Sequence, residues 1–188
     1  PSRQDVVRTI ELPGNFKAYE EAVLHARVSG YLENIKVDKG DKVSKRQVLA
    51  KISSPELVQH VQAAEADYHA AMSDVVSAQS ETELADLTYK RYASIAKRDP
   101  DLIATQKVDE AMTQLMVAKS TENAQLARMN SALKELQQVQ SMANYANIVA
   151  PFSGVVTERH VDPGAYIDSN RGVPVVTLMN ADRLRLQI

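Results

Sequence analysis

One short strand pattern occurs twice in this chain, and the copies are separated by a long stretch without glycine. The first copy runs from Ala26 through Ser29-Gly30-Tyr31-Leu32 and Val37-Asp38-Lys39-Gly40 to Val43. The second runs from Ala150 through Ser153-Gly154-Val155-Val156 and Val161-Asp162-Pro163-Gly164 to Ile167. A constant offset of 124 aligns them without a gap, with Ala, Ser, Gly, Val, Asp and Gly recurring in register. Each copy reads as about four short strands with one apolar face, too little to fold alone. Docked as a pseudo-twofold pair, the two halves close a small β-sandwich.

The interruption has its own period. No glycine lies between Gly40 and Gly154, while Pro55 and Pro151 bracket the stretch and Pro100 divides it. Glycine costs a helix interior roughly 1 kcal/mol and proline about 3 kcal/mol, so their absence permits long helices. Alternating steps of four and three from Leu57 reach Val61, Ala64, Tyr68, Ala71, Val75, Ala78, Thr82, Ala85, Tyr89, Tyr92 and Ala96. This is the 3.5-residue coiled-coil period, broken clearly at Thr82 only. Ser54 fits an N-cap and Pro55 the first helical position, which predicts a helix over about 55–97, roughly 60 Å long.

A second seam passes through Val108, Ala111, Leu115, Ala118, Glu122, Gln125, Met129, Ala132, Leu136, Val139 and Ala143, with Glu122 and Gln125 as its polar middle. Its helix starts near Thr105, a candidate N-cap, with Asp109 and Glu110 where the helix dipole favours carboxylates. The short connection around Arg98-Asp99-Pro100-Asp101 requires antiparallel helices. Packing within the hairpin accounts for the seams; contact between helices of different molecules is the alternative.

Segments outside the repeat look like parts of a further β-domain. Val7 to Phe16 reads as strand, turn, strand around Pro13-Gly14, and Leu184 to Ile188 alternates in the same way. The chain thus reads as a fragment divided into 1–22 and 180–188 (partial β-barrel), 23–53 and 147–179 (the sandwich halves), and 54–146 (the hairpin, with its tip near 98–104). The fold class is α+β.

Composition removes several functions. The formal charge of −2 leaves no nucleic-acid footprint. Without cysteine there are no disulfides, thiolate metal sites or cysteine nucleophiles. No apolar run approaches the ~20 residues that span a bilayer. No nucleophile–base pair, phosphate loop or paired carboxylate site stands out, so the chain reads as non-enzymatic and without a cofactor. His25, His60, His69 and His160 lack ligand spacing and read as surface residues; His25 falls at the expected junction with the partial barrel, where protonation would bias a hinge.

The split halves resemble the biotinyl/lipoyl fold, whose carrier members display a modified lysine on the hairpin joining the halves. Here the helical hairpin occupies that place, and Lys51 lies inside a strand without the carrier motif. The segments Ala26 to Leu32, Val37 to Val43, Ile148 to Gly154 and Val161 to Gly164, in the order strand, half-sandwich, hairpin, half-sandwich, strand, resemble the periplasmic adaptors, or membrane fusion proteins, of tripartite efflux pumps. They are most similar to adaptors of resistance-nodulation-division transporters.

The resemblance implies a periplasmic, non-catalytic protein. It would bridge an inner-membrane efflux transporter to an outer-membrane channel and self-associate into a ring, commonly of six copies. The alternatives are an adaptor for type I secretion or an ATP-driven exporter, and a periplasmic metal-binding module. The family's tip motif, Arg-x3-Leu-x6-Ser, maps onto Arg91, Ile95 and Thr105, with nine residues in place of six before the hydroxyl. Gly30, Gly40, Gly154 and Gly164 take the turn and packing positions of the lipoyl-like halves. No metal site is expected: Met112 and Met116 stand one turn apart, where packing is the ordinary use of methionine, and they are candidates for a soft ion only because the resemblance implies that heavy-metal adaptors can capture one with methionines.

Overall fold

The internal repeat becomes an exchange of strands. A computed structural model of the protein describes residues 15–99, 101–180 and 184–187. Its elements are β1 (Asn15–Ala18), β2 (Glu21–His25), β3 (Gly30–Ile35), β4 (Lys42–Val43), β5 (Val48–Ser53), α1 (Pro55–Arg98), α2 (Thr105–Asn144), β6 (Asn147–Val149), β7 (Gly154–Arg159), β8 (Tyr166–Ile167), β9 (Pro174–Met179) and β10 (Leu184–Gln187). One four-stranded sheet has the order β2-β9-β7-β4 and the other β6-β5-β3-β8. Each half therefore lends its short middle strand to the other half's sheet: β4 pairs with β7, and β8 with β3. Neither sheet can be completed by one half.

The twofold relation extends to single hydrogen bonds. The Gly40 amide donates to Val156 O and the Gly164 amide to Leu32 O, both at 2.8 Å. The Val156 amide donates to Asp41 O and the Leu32 amide to Ala165 O, both at 2.9 Å. A register shift falls between Leu32 and Asn34 and recurs between Val156 and Glu158, positions related by the same offset. Facing apolar residues from both sheets fill the interior: Leu32, Leu49, Ile52, Val156, Ile167, Val175, Val176 and Leu178 are fully buried. Burial of this apolar surface is the main favourable term for the sandwich.

The chain leaves the sandwich at Ser54 and returns at Tyr145; the helices between form a compact unit of their own. Pro55 opens α1, where a missing amide hydrogen costs nothing. Along α1 from Leu57 to Ala85, the seam residues alone are buried or half-buried. Every seam residue of α2 is buried or half-buried as well, joined by Leu126 and Leu133, and Glu122 and Gln125 keep their seam places. Thr82 also sits on the seam, and its Oγ1 is buried without a hydrogen bond. Elsewhere on α1, Ser80 and Thr88 donate to the carbonyls of Val76 and Leu84 at 3.0 and 2.8 Å.

A separate two-stranded ladder joins β1 to β10, with Lys17 opposite Arg185. The expected strand from Val7 and the Pro13-Gly14 turn lie outside the described residues, as does Ile188. His25, expected at a loose junction, is the last residue of β2, and its Nδ1 lies 2.8 Å from Gly172 O. No helix among the described residues is long and apolar enough to cross a membrane.

Candidate functional site

At the hairpin tip the turn is organised by Asp99. Its amide donates to Ile95 O at 3.0 Å, closing the last turn of α1. Its Oδ1 accepts from the Asp101 amide at 3.1 Å, and its carbonyl accepts from the Leu102 amide at 3.3 Å. Aspartate favours such turns because its side chain bonds the backbone two residues on. Pro100 lies outside the described residues. The apex carries Leu102, 70% exposed.

Arg91 is exposed, and its guanidinium has no ion-pair partner among the described residues, whereas the neighbouring Lys90 is bound to Asp86 at 2.5 Å. Ile95 is half-buried and Thr105 exposed. Thr105 is the first residue of α2 rather than the residue before it. Just beyond it, the Lys107 ammonium lies 3.0 Å from the Glu110 carboxylate. Their hydrogen bond holds the Glu110 carboxyl below its ordinary range and raises the lysine. Arg91, Ile95 and Thr105 all belong to the last turns around the tip.

Met112 and Met116 stand on α2 with 48% and 61% of their surface exposed, so they fill no gap in the seam. Among the described residues no group of three or more His, Cys, Asp or Glu side chains is placed to hold a metal. Exposed Leu84, Leu87 and Val117 join them on the distal part of the hairpin. Their off-seam positions follow from the heptad pattern, whereas their exposure as a group is a property of the folded hairpin.

In the sandwich the four glycines that recur in the repeat serve two purposes. A Cβ on Gly30 would stand 2.4 Å from Ser53 O, and one on Gly154 would stand 2.4 Å from Met179 O. Gly40 and Gly164 have open space instead, with φ of +95° and +87°. Lys51 points outward from β5 and holds Glu33 at 2.9 Å. His160 is an exposed residue, as expected, but its ring is tethered: Nε2 lies 2.8 Å from Thr177 Oγ1 and 3.6 Å from the Glu158 carboxylate.

Arg159 was invisible to sequence reasoning. Its Nη1 donates to Asp162 Oδ1 at 2.5 Å and to Val161 O at 3.2 Å, and its Nε donates to Asp38 Oδ1 at 3.3 Å. Asp38 and Asp162 are equivalent positions of the repeat, so one guanidinium ties together the turns of both halves. The Lys39 amide, 2.8 Å from Asp38 Oδ1, and then Arg159 hold the Asp38 carboxyl below its usual range. The offset alone relates the two aspartates; only the sheets bring Arg159 between them.

Comparison with known proteins agrees with this architecture. The chain is 28% identical over 178 residues to the multidrug resistance protein MdtE of Escherichia coli K12, covering 95% of this chain and 42% of that protein. It is 26% identical over 185 residues to the macrolide export protein MacA of Yersinia pestis, covering 98% and 49%. The chain thus spans less than half the length of these curated relatives. The crystal structure of MacA from Actinobacillus actinomycetemcomitans superposes with a TM-score of 0.82 at 20% identity, over 92% of this chain and 53% of that one. Residues 20–177 match the model of the CzcB-like barrel-sandwich hybrid domain, a span holding both exchanged halves and the hairpin between them, and the chain belongs to that family.

Proposed function

We propose that this chain is part of a periplasmic adaptor of a tripartite efflux pump, joining an inner-membrane transporter to an outer-membrane channel for the export of drugs or metal ions. One observation carries the reading: a long, seam-packed helical hairpin stands where a carrier of related fold would present its lysine. Such an element extends reach rather than doing chemistry. The family, the multidrug resistance named for MdtE and the macrolide export named for MacA support the same conclusion.

In this reading the work is geometric. Copies assemble into a ring, six in number, and their hairpins project toward the channel. At the tip, Arg91, with no ion-pair partner among the described residues, supplies a planar donor set for a carbonyl or carboxylate. Ile95 adds an apolar contact and Thr105 a hydroxyl. The glycine-dependent sandwich holds the base of each arm and has no catalytic part.

The test is Arg91→Asp in the full-length protein, measuring efflux and adaptor abundance together. Export falls at unchanged abundance if the arginine docks. Wild-type export by that variant removes the tip assignment, and wild-type export in a strain lacking the gene removes the adaptor reading.

A further inference from the structure

The two halves of the sandwich share a backbone but not a charge. Under the offset of 124, Lys36, Lys39, Lys42, Lys45 and Arg46 correspond to His160, Pro163, Tyr166, Ser169 and Asn170. The second half repeats the 38–41 turn at 162–165, with the Asp41 amide on Asp38 O and the Ala165 amide on Asp162 O both at 3.1 Å, and has no lysine or arginine at any of the five positions, so that turn does not require them; the turn before β9 is built differently, with a short 3-10 helix at Ser169–Arg171. All five side chains are exposed, and none has an ion-pair partner among the described residues. The other cations of the sandwich are engaged. Lys51 holds Glu33 at 2.9 Å, Arg159 holds Asp38 and Asp162, Arg171 lies 3.5 Å from Asp168, and Arg27 lies over the Tyr145 ring at 4.9 Å.

The cations are also gathered at one place. Tyr31 pairs with Ser53 and Ile35 with Ala50, so β3 runs away from the end where the chain departs at Ser54. The turns after Ile35 therefore lie at the opposite end, against the start of β7, with Val43 opposite Gly154. That end is also where β2 begins and β9 finishes, Glu21 facing Met179. The loops are pinned rather than loose. The Asp38 amide donates to Asp41 Oδ2 at 2.8 Å, Ser44 to Gln47 Oε1 at 2.9 Å, Lys45 to Ser153 Oγ at 2.9 Å, and Arg46 to Ala150 O at 2.8 Å.

We propose that turns 36–47 form a docking surface for an acidic face of a folded partner protein, and, resting on the adaptor reading, that this partner is the inner-membrane transporter, met at the end of the sandwich away from Ser54, where the chain departs. Like charges held together without partners repel one another, and an opposing carboxylate surface relieves that repulsion. The order Lys36, Asp38, Lys39, Asp41, Lys42 interleaves both signs on a fixed backbone. A protein surface can match such a pattern in register. A sheet of anionic headgroups favours an uninterrupted cluster of lysine and arginine instead.

The experiment compares full-length protein carrying Lys39→Glu, Lys42→Glu and Lys45→Glu with a charge-matched control carrying Lys119→Glu, Arg128→Glu and Lys134→Glu. Association with the transporter in nanodiscs of zwitterionic lipid is followed across a salt series. The cluster variant associates ~10-fold or more slowly and loses most of its salt dependence, as expected for a steering surface. The control stays within about twofold of wild type.

Unchanged association by the cluster variant, or equal slowing by the control, overturns the proposal. So does binding to phosphatidylglycerol vesicles that the cluster variant loses while it keeps the transporter. A second arm separates this surface from the adaptor reading: poly-L-glutamate is titrated into the full-length protein and backbone amide shifts are recorded. Larger shifts over 36–47 than over 160–171 support an acidic-protein surface even where the transporter does not bind. Equal shifts at both turns overturn it.

Discussion

Gly30 and Gly154 give the sharpest test of how the two halves are joined. A Cβ added to Gly30 would lie 2.4 Å from Ser53 O, 2.8 Å from Ile52 Cγ2 and 3.2 Å from Ser53 C. At Gly154 the distances are 2.4 Å to Met179 O, 3.0 Å to Met179 C and 3.4 Å to Asn180 Cα. Carbon and carbonyl oxygen rest comfortably at about 3.3–3.6 Å, so each substitution requires roughly 1 Å of movement. The obstacle is backbone of β5 or β9, the ladder partner of the strand that carries the glycine, so no rotamer change relieves it.

Overpacking of this kind costs about 1–3 kcal/mol, and obstruction by backbone places Gly30→Ala and Gly154→Ala near ~3 kcal/mol each. Against a domain stability of about 5–15 kcal/mol, that is a large fraction. With a urea m-value near ~2 kcal/mol/M, each midpoint falls by about 1.5 M at unchanged m. Gly40→Ala and Gly164→Ala meet no atom within 4 Å and suffer only from their positive φ, a cost of about 1–2 kcal/mol. Urea unfolding of the four variants, followed by far-UV circular dichroism, must therefore rank Gly30 and Gly154 above Gly40 and Gly164. A Gly30→Ala protein with a wild-type midpoint refutes the close-approach argument.

Thr82→Val removes a buried hydroxyl that has no partner, so the hairpin gains about 1–2 kcal/mol, read as a higher melting temperature of the helical signal. Arg46 has φ of +67°, and the third strand of the second half is preceded instead by Gly172, at +58°. Arg46→Gly relieves ~1–2 kcal/mol of left-handed strain and loses ~0.5–1 kcal/mol through unfolded-state entropy, a net gain of about 0.5 kcal/mol in urea unfolding. Arg159→Gln lets the Asp38 carboxyl titrate closer to its ordinary value, observable by carboxyl carbon NMR. Because the folded pKa of Asp38 is depressed, its contribution is complete above the unfolded value of 3.8 and is lost as pH falls through the lower folded value. The variant therefore loses stability at neutral pH and shows a smaller decline in acid.

The helical hairpin was legible almost residue by residue. A 3.5-residue period turns burial into a one-dimensional property, and Leu57, Ala64, Val75 and Ala78 on α1, with Ala111, Leu115 and Leu136 on α2, take the inward positions that the period assigned. The repeat also showed through, because paired glycine turns and apolar alternation are local signals. Other features were not local. His25 reads as a junction residue until β2 is seen pairing with β9, and His160, on the surface as expected, shows its partner Thr177 only once the ladder brings the two together. Arg159 gives no warning at all, since its partner Asp38 lies 121 residues away.

The amino-acid order by itself determined that this protein has a split, repeated β-unit and a two-helix insertion, because helix period, proline and glycine placement act over a few residues. Tertiary structure decided what joins the halves: each middle strand crosses to the other half's sheet, so Gly30 and Gly154 must admit a neighbouring backbone and one guanidinium can bridge two equivalent aspartates. It also revealed which charges are spent and which are free. Lys51 and Lys36 look alike in sequence, yet one meets Glu33 across a ladder and the other meets no carboxylate among the described residues, because ion pairing depends on register between strands.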